Sequence, residues 1–144
     1  MLRPQNTGPR HCHACRSLSL APSGRTRMHS GDDVKPVSVG IVGLGTVGGG
    51  AFNLLRENAA EISRRTGRDI RVSHIGVRRD KPGYDLSGTQ VSQDIFAVVN
   101  DPAIDIVVEV IGGTTTAREV VMQSIANGKH VVTANKALLA EHGN

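Results

Sequence analysis

The sequence has no tryptophan, and its only aromatic side chains are Phe52, Tyr84 and Phe96. Three rings are too few to interleave with basic residues as stacking platforms for a single-stranded nucleic acid. No apolar run approaches the roughly 18 to 20 residues needed to span a bilayer, so no transmembrane helix is expected. Cysteine is confined to Cys12 and Cys15, which leaves the rest of the chain without a disulfide. Residues 1–31 contain no acid but five arginines, whereas residues 32–144 hold twelve basic side chains against thirteen acidic ones. The formal charge of +4 therefore sits near the N-terminus and the body is close to neutral, at −1. A basic nucleic-acid-binding face on the body has no support.

Residues 1–33 mix serine, proline, glycine and arginine without apolar periodicity, and such a stretch is expected to be a disordered basic leader. Its composition loosely matches an organellar transit peptide. A true start at Met28 would instead make the upstream stretch a leader without function, and a dispensable leader or tail is favoured. The string His11-Cys12-His13-Ala14-Cys15 contains C-x-x-C, which could hold zinc or cycle as a thiol pair. A zinc site normally needs a second ligand pair, and a redox pair normally needs a thioredoxin-like βαβ setting. Neither is visible, so the pair reads as incidental and no metal is expected.

Order is expected from 34 onward, beginning with a β-branched strand, Val37–Val42. Apolar residues then recur at Val47, Ala51, Leu54, Leu55, Ala59 and Ile62, the spacing of a helix with one buried face. Glu61 and Arg65 form an i, i+4 pair on it, and Gly67 stops it. Ile70–Val77 makes a second strand, Arg78–Gln90 a loop, and Gln93–Val99 a short helix ended by Asn100-Asp101-Pro102. Ile104–Ile111 is a third strand, an apolar run interrupted by Asp105 and Glu109. Thr116 and Glu119 fit a capping box that opens a helix running to about Ala126. His130–Thr133 is a fourth strand, and a last helix starts at Ala137 and is cut short at Asn144. The alternation β-α-β-α-β-α-β-α implies a Rossmann-type, doubly wound parallel α/β sheet, incomplete at its C-terminus.

Gly43-Leu44-Gly45-Thr46-Val47-Gly48 is G-x-G-x-x-G placed directly after a strand and at the start of a helix, the context in which it binds a dinucleotide. Gly43 permits the tight turn, Gly45 lets backbone approach a pyrophosphate, and Gly48 lets the helix pack on the strand. The second strand ends in Arg78-Arg79-Asp80. Two arginines match the 2′-phosphate of NADP, whereas Asp80 keeps NAD open.

Ligands of open α/β sheets lie beyond the carboxyl ends of the strands. There the third strand is followed by Gly112-Gly113-Thr114 and the fourth by Ala134-Asn135-Lys136. Gly112 and Gly113 either let backbone approach a flat ring or form a plain turn. If Asn135 caps the last helix, Lys136 lies in its first turn, where the dipole disfavours a cation by a few tenths to about 1 kcal/mol. A lysine kept there suits proton transfer or the anchoring of a carbonyl, hydroxyl or carboxylate.

Three strings together, Val39–Gly48, Val107–Gly113 and Val131–Lys136, resemble the start of bacterial homoserine dehydrogenases from about Val37 to Asn144. The resemblance implies NAD(P)-dependent interconversion of L-homoserine and L-aspartate 4-semialdehyde, on the branch leading to threonine, methionine and isoleucine, by a cytoplasmic enzyme. It implies that Lys136 is catalytic and lies beside the nicotinamide, and that Arg78-Arg79 contact the adenosine ribose end. It also implies a substrate domain beyond Asn144, with a second lysine, acidic substrate-binding residues, a monovalent-cation site and much of a homo-oligomer interface. The chain as given would then be a fragment without turnover. A non-catalytic dinucleotide module and a related small-amino-acid dehydrogenase are the alternatives, because the cofactor half carries little substrate information.

Overall fold

The computed structural model describes residues 35–79 and 83–143. The leader, Cys12, Cys15, Met28, Asp80 and Asn144 lie outside them. The chain runs through β1 (Val37–Val42), α1 (Thr46–Glu57), α2 (Ala59–Thr66), β2 (Ile70–Gly76) and β3 (Gln90–Ser92). It continues through α3 (Ile95–Asn100), β4 (Ile106–Glu109), α4 (Thr115–Ala126), β5 (His130–Thr133) and α5 (Lys136–His142). All strand pairs are parallel, in the order β3-β2-β1-β4-β5. The chain winds outward from β1 to β3, then returns to the other side of β1 for β4 and β5, so the winding reverses between β1 and β4. This is the doubly wound α/β fold, and its crevice opens at that reversal.

Alternation along the strands feeds two cores. Val39 and Ile41 of β1 join Leu44, Phe52, Ile75 and Val77 beneath α1, while Val42 joins Val98, Val99, Val107 and Val120 beneath α3 and α4. The α3 side is tight at Gly40, where a β-carbon would lie 2.5 Å from Val98 Cγ1.

Several elements depart from the sequence expectations. A fifth strand, β3, lies where the sequence predicts the end of a loop at Gln90 and assigns nothing to Val91 and Ser92, because it is a three-residue edge strand with exposed Gln90 and Val91 and no apolar alternation. Helix α3 starts at Ile95 rather than Gln93, since the Asp94 carboxylate accepts the Phe96 N–H at 2.9 Å as its cap. The first long helix is two, α1 and α2, broken where the Asn58 side chain donates to the Leu54 carbonyl. Its expected apolar face is also turned: Gly48, Gly49 and Phe52 are buried, whereas Val47 and Leu54 are more than half exposed. Close packing on glycines, which periodicity does not count, decides that face. The third strand is shorter than Ile104–Ile111. The Thr116–Glu119 capping box does not set the start of α4; the helix begins at Thr115 with Thr114 as an N-cap lacking a side-chain bond, directly after Gly113 at φ 86°. Gly67, in the left-handed region, does end α2, and the Glu61–Arg65 pair forms at 2.6 Å.

Two acids of the third-strand region anchor the fold away from the crevice. The Asp105 carboxylate accepts the Ser38 N–H at 2.9 Å, across β1 and the start of β4. Asp101 accepts the Ala103 N–H at 2.9 Å and meets the Nδ1 of buried His74 at 2.9 Å. The Ala103 N–H holds the Asp101 carboxyl below its ordinary 3.8; partial burial opposes this, and His74 and Lys129 add to the lowering. A carboxyl lowered on folding contributes stability above its unfolded value and loses it as pH falls through the folded one. Asp101→Asn is therefore expected to cost about 1–2 kcal/mol at neutral pH. The cost should shrink progressively below about pH 4. Urea midpoints at both pH values test this; an equal cost at both would reject it.

Candidate functional site

The glycine turn leaves β1 at Gly43, whose φ of 101° is a left-handed conformation that L side chains rarely adopt, and whose N–H donates to the Gly76 carbonyl at 2.9 Å. Leu44 is buried, so only its backbone is available to the crevice. Gly48 faces the Gly43 carbonyl so closely that a β-carbon there would collide with it. At Gly45, by contrast, a β-carbon would meet no atom of the described residues within 4 Å. Gly45 is the N-cap of α1 and makes no side-chain cap, so the N–H groups of the first turn, which have no partner inside the helix, face outward. Bare peptide, an uncapped helix start and a dipole form a cradle for an anion.

A cleft of about 390 Å³ lies over this turn, lined also by Val77, Arg78 and Arg79 from the exit of β2 and by Val110–Gly112 from the exit of β4. The arginines are exposed, while Val77 below them is buried. Residues 84–85 are strapped to α1: Arg56 donates to both the carbonyl and the carboxylate of Asp85, and Tyr84 meets Phe52 edge-on with centroids 6.5 Å apart. The Tyr84 ring sits on Gly49, where a β-carbon would collide with its hydroxyl. The Ser87 hydroxyl, then Arg56 and the Ser87 N–H, draw the Asp85 carboxyl down to about 2.

A second cavity, of about 340 Å³, is lined by Val47, Val110–Gly112 and Ala134–Lys136. The two share Val110, Ile111 and Gly112, so they adjoin as two lobes of a trough whose lining runs from the arginines past the glycine turn to Lys136. Each volume lies within the range typical of small-molecule sites, about 300–1,000 Å³. Asn135 caps α5 through its Oδ1, which accepts the Leu138 N–H at 3.1 Å, and Lys136 is the first, exposed residue of that helix.

The trough thus gathers Gly43, Leu44, Gly45, Val47, Arg78, Arg79, Gly112 and Lys136 from the sequence-predicted set. Thr46, Gly48, Gly113 and Thr114 do not line it: Gly48 packs against the Gly43 carbonyl of the turn, and the Gly113 carbonyl accepts Asn135 Nδ2 at 2.6 Å. Glu109, in the sequence only an interruption of an apolar strand, is not among the predicted site residues. It is wholly buried at the carboxyl end of β4, directly below the shared lining. An acid at that end of a buried strand was the available signal.

Residues 43–144 match the family described as homoserine dehydrogenase, NAD binding domain. A homoserine dehydrogenase of Pseudomonas aeruginosa is 60% identical over 111 residues, 77% of this chain and 26% of that protein. The crystal structure of a homoserine dehydrogenase from Thiobacillus denitrificans has a TM-score of 0.70 at 58% identity, covering 76% of this chain and 26% of that one. A Staphylococcus aureus homoserine dehydrogenase structure gives 0.69 at 37% identity, covering 75% and 28%. The chain spans about a quarter of the length of the relatives it matches.

Proposed function

Since the chain belongs to the homoserine dehydrogenase family, as its NAD-binding domain, we propose that the trough holds NADP in preference to NAD and serves the oxidation of L-homoserine to L-aspartate 4-semialdehyde. The observation that carries this reading is that adjoining cavities place Arg78 and Arg79 at one end of the strand-end lining and Lys136 at the other. The trough's place across the strand ends and its anion cradle suit a dinucleotide, with the 2′-phosphate at the arginines and the nicotinamide at Gly112 and Lys136. When bound, the nicotinamide supplies the hydride acceptor. Lys136 takes the hydroxyl proton as the carbon gives up hydride, and the Val110–Gly112 backbone orients the ring. In this reading the whole enzyme is cytoplasmic and homo-oligomeric and feeds threonine, methionine and isoleucine synthesis. The residues here correspond to 26% of such a relative, and dinucleotide binding is the part of this reading assigned to them.

The cofactor assignment is tested by titrating the chain with NADPH and NADH. The double substitution Arg78→Gln, Arg79→Gln should weaken NADPH by about tenfold or more, the loss of a charge-assisted pair, and leave NADH nearly unchanged. Equal affinities in the unsubstituted chain, or equal losses in the variant, would remove the arginines from the phosphate.

A further inference from the structure

The two loops that form the Lys136 end of the trough are joined beneath it by a closed circuit of side chains. Glu109 Oε1 accepts the Ile111 N–H at 2.8 Å, and its Oε2 accepts the Thr133 hydroxyl at 2.5 Å. Thr133 Oγ1 in turn accepts the Asn135 N–H at 3.0 Å. Asn135 closes the circuit by donating from Nδ2 to the Gly113 carbonyl at 2.6 Å, while its Oδ1 caps the helix that Lys136 begins. Two of the links, Thr133 to Glu109 and Asn135 to Gly113, join the exit of β4 to the exit of β5, and the others hold each loop to its own strand end.

We infer that Glu109 is a positioning residue: through Thr133 and Asn135 it fixes the Gly112-Gly113 backbone and the start of α5 in the one arrangement that receives the nicotinamide. The inference rests on the proposed function and adds to it a residue that touches neither cofactor nor substrate. A packing role alone would not call for a carboxylate. Val107, two residues earlier on the same face of β4, fills the core with apolar atoms and needs no partners. Burial penalises an acid, and the penalty is offset only where donors converge on both oxygens. A carboxylate is acceptor-only, which matches two donors, the Ile111 N–H and the Thr133 O–H. A glutamine in its place must aim its NH₂ at one of those donors and so breaks one link, whichever way it turns.

The test uses the full 144-residue chain and two ligands, NADPH and 2′-phospho-ADP-ribose, which lacks only the nicotinamide. Their affinity ratio reports the nicotinamide end, and the second ligand alone reports the rest of the trough. In Glu109→Gln and in Thr133→Val the ratio should fall by about tenfold, with affinity for 2′-phospho-ADP-ribose held within about twofold. Thr133→Ser, which keeps the hydroxyl, should restore it. If Glu109→Gln does not fold, the two Thr133 variants decide. An unchanged ratio, an equal loss for both ligands, or a ratio of one in the unsubstituted chain overturns the role of Glu109 and leaves the dinucleotide reading in place. Failure of the unsubstituted chain to bind either ligand overturns both.

Discussion

Gly45→Ala is expected to leave the melting temperature nearly unchanged and to weaken dinucleotide binding by at least about tenfold, whereas Gly48→Ala is expected to unsettle the fold itself. The two glycines sit three residues apart in one motif, yet their surroundings are opposite. A methyl at Gly45 meets nothing within 4 Å among the described residues and requires no rearrangement of them. That space is where the turn presents bare N–H groups at the start of α1, so the methyl would displace the pyrophosphate and cost at least about tenfold in affinity. A methyl at Gly48 meets the Gly43 carbonyl, which is backbone and cannot swing aside. Either α1 lifts from β1 or the left-handed turn at Gly43 opens. Overpacking of this kind typically costs about 1–3 kcal/mol. In a domain of this size that lowers the melting temperature by several degrees to about 15 °C. Thermal melts of the two variants, paired with NADPH titrations, separate the roles. A stable Gly48→Ala, or a Gly45→Ala that binds as well as the parent, would show that the glycines do not divide the work this way.

The motif was legible because each of its glycines answers a local question: the backbone angle at Gly43, and the close approach of the helix at Gly48. The cap at Asn135 was legible for a similar reason, since its partner, the Leu138 N–H, is only three residues away. Features that depend on register were not. Glu109 and Thr133 are 24 residues apart, and they face each other only because β4 and β5 pair in parallel with Glu109 opposite Thr133. The strap over α1 joins Arg56 to Asp85 across 29 residues, and no spacing rule connects them. Strand β3 contributes backbone hydrogen bonds at an edge and little apolar area, so it left no pattern to read. The apolar stripe of α1 misled for a physical reason as well. Val47 belongs to the lining of the trough, and the helix is drawn against the sheet by Gly48, Gly49 and Phe52. A ligand-facing apolar residue and a core-facing one look alike in a sequence.

Lys136 offers the second large effect, and its sign should differ between stability and activity. The first turn of α5 contains no acid, and Lys136 stands where the helix dipole disfavours a cation. Lys136→Met is therefore expected to leave the domain as stable as before or slightly more so, by at most about 1 kcal/mol, because the side chain is exposed. The activity test is made in a whole enzyme. A chimera in which residues 37–143 replace the matching stretch of the Pseudomonas aeruginosa homoserine dehydrogenase, 60% identical, supplies it. In that chimera Lys136→Met should reduce kcat for homoserine oxidation by about 10²- to 10⁴-fold, the range for loss of a proton-transfer group, with KM for NADP little changed. Lys136→Arg then distinguishes two ways in which the lysine can act. An arginine keeps the charge but does not give up its proton at working pH, so it preserves an anchoring role and fails at proton transfer. An arginine variant as slow as the methionine variant assigns Lys136 to the proton; one that keeps most of kcat assigns it to holding the substrate oxygen. If both variants lose cofactor affinity in proportion to rate, the lysine belongs to the dinucleotide site and not to the reacting atoms.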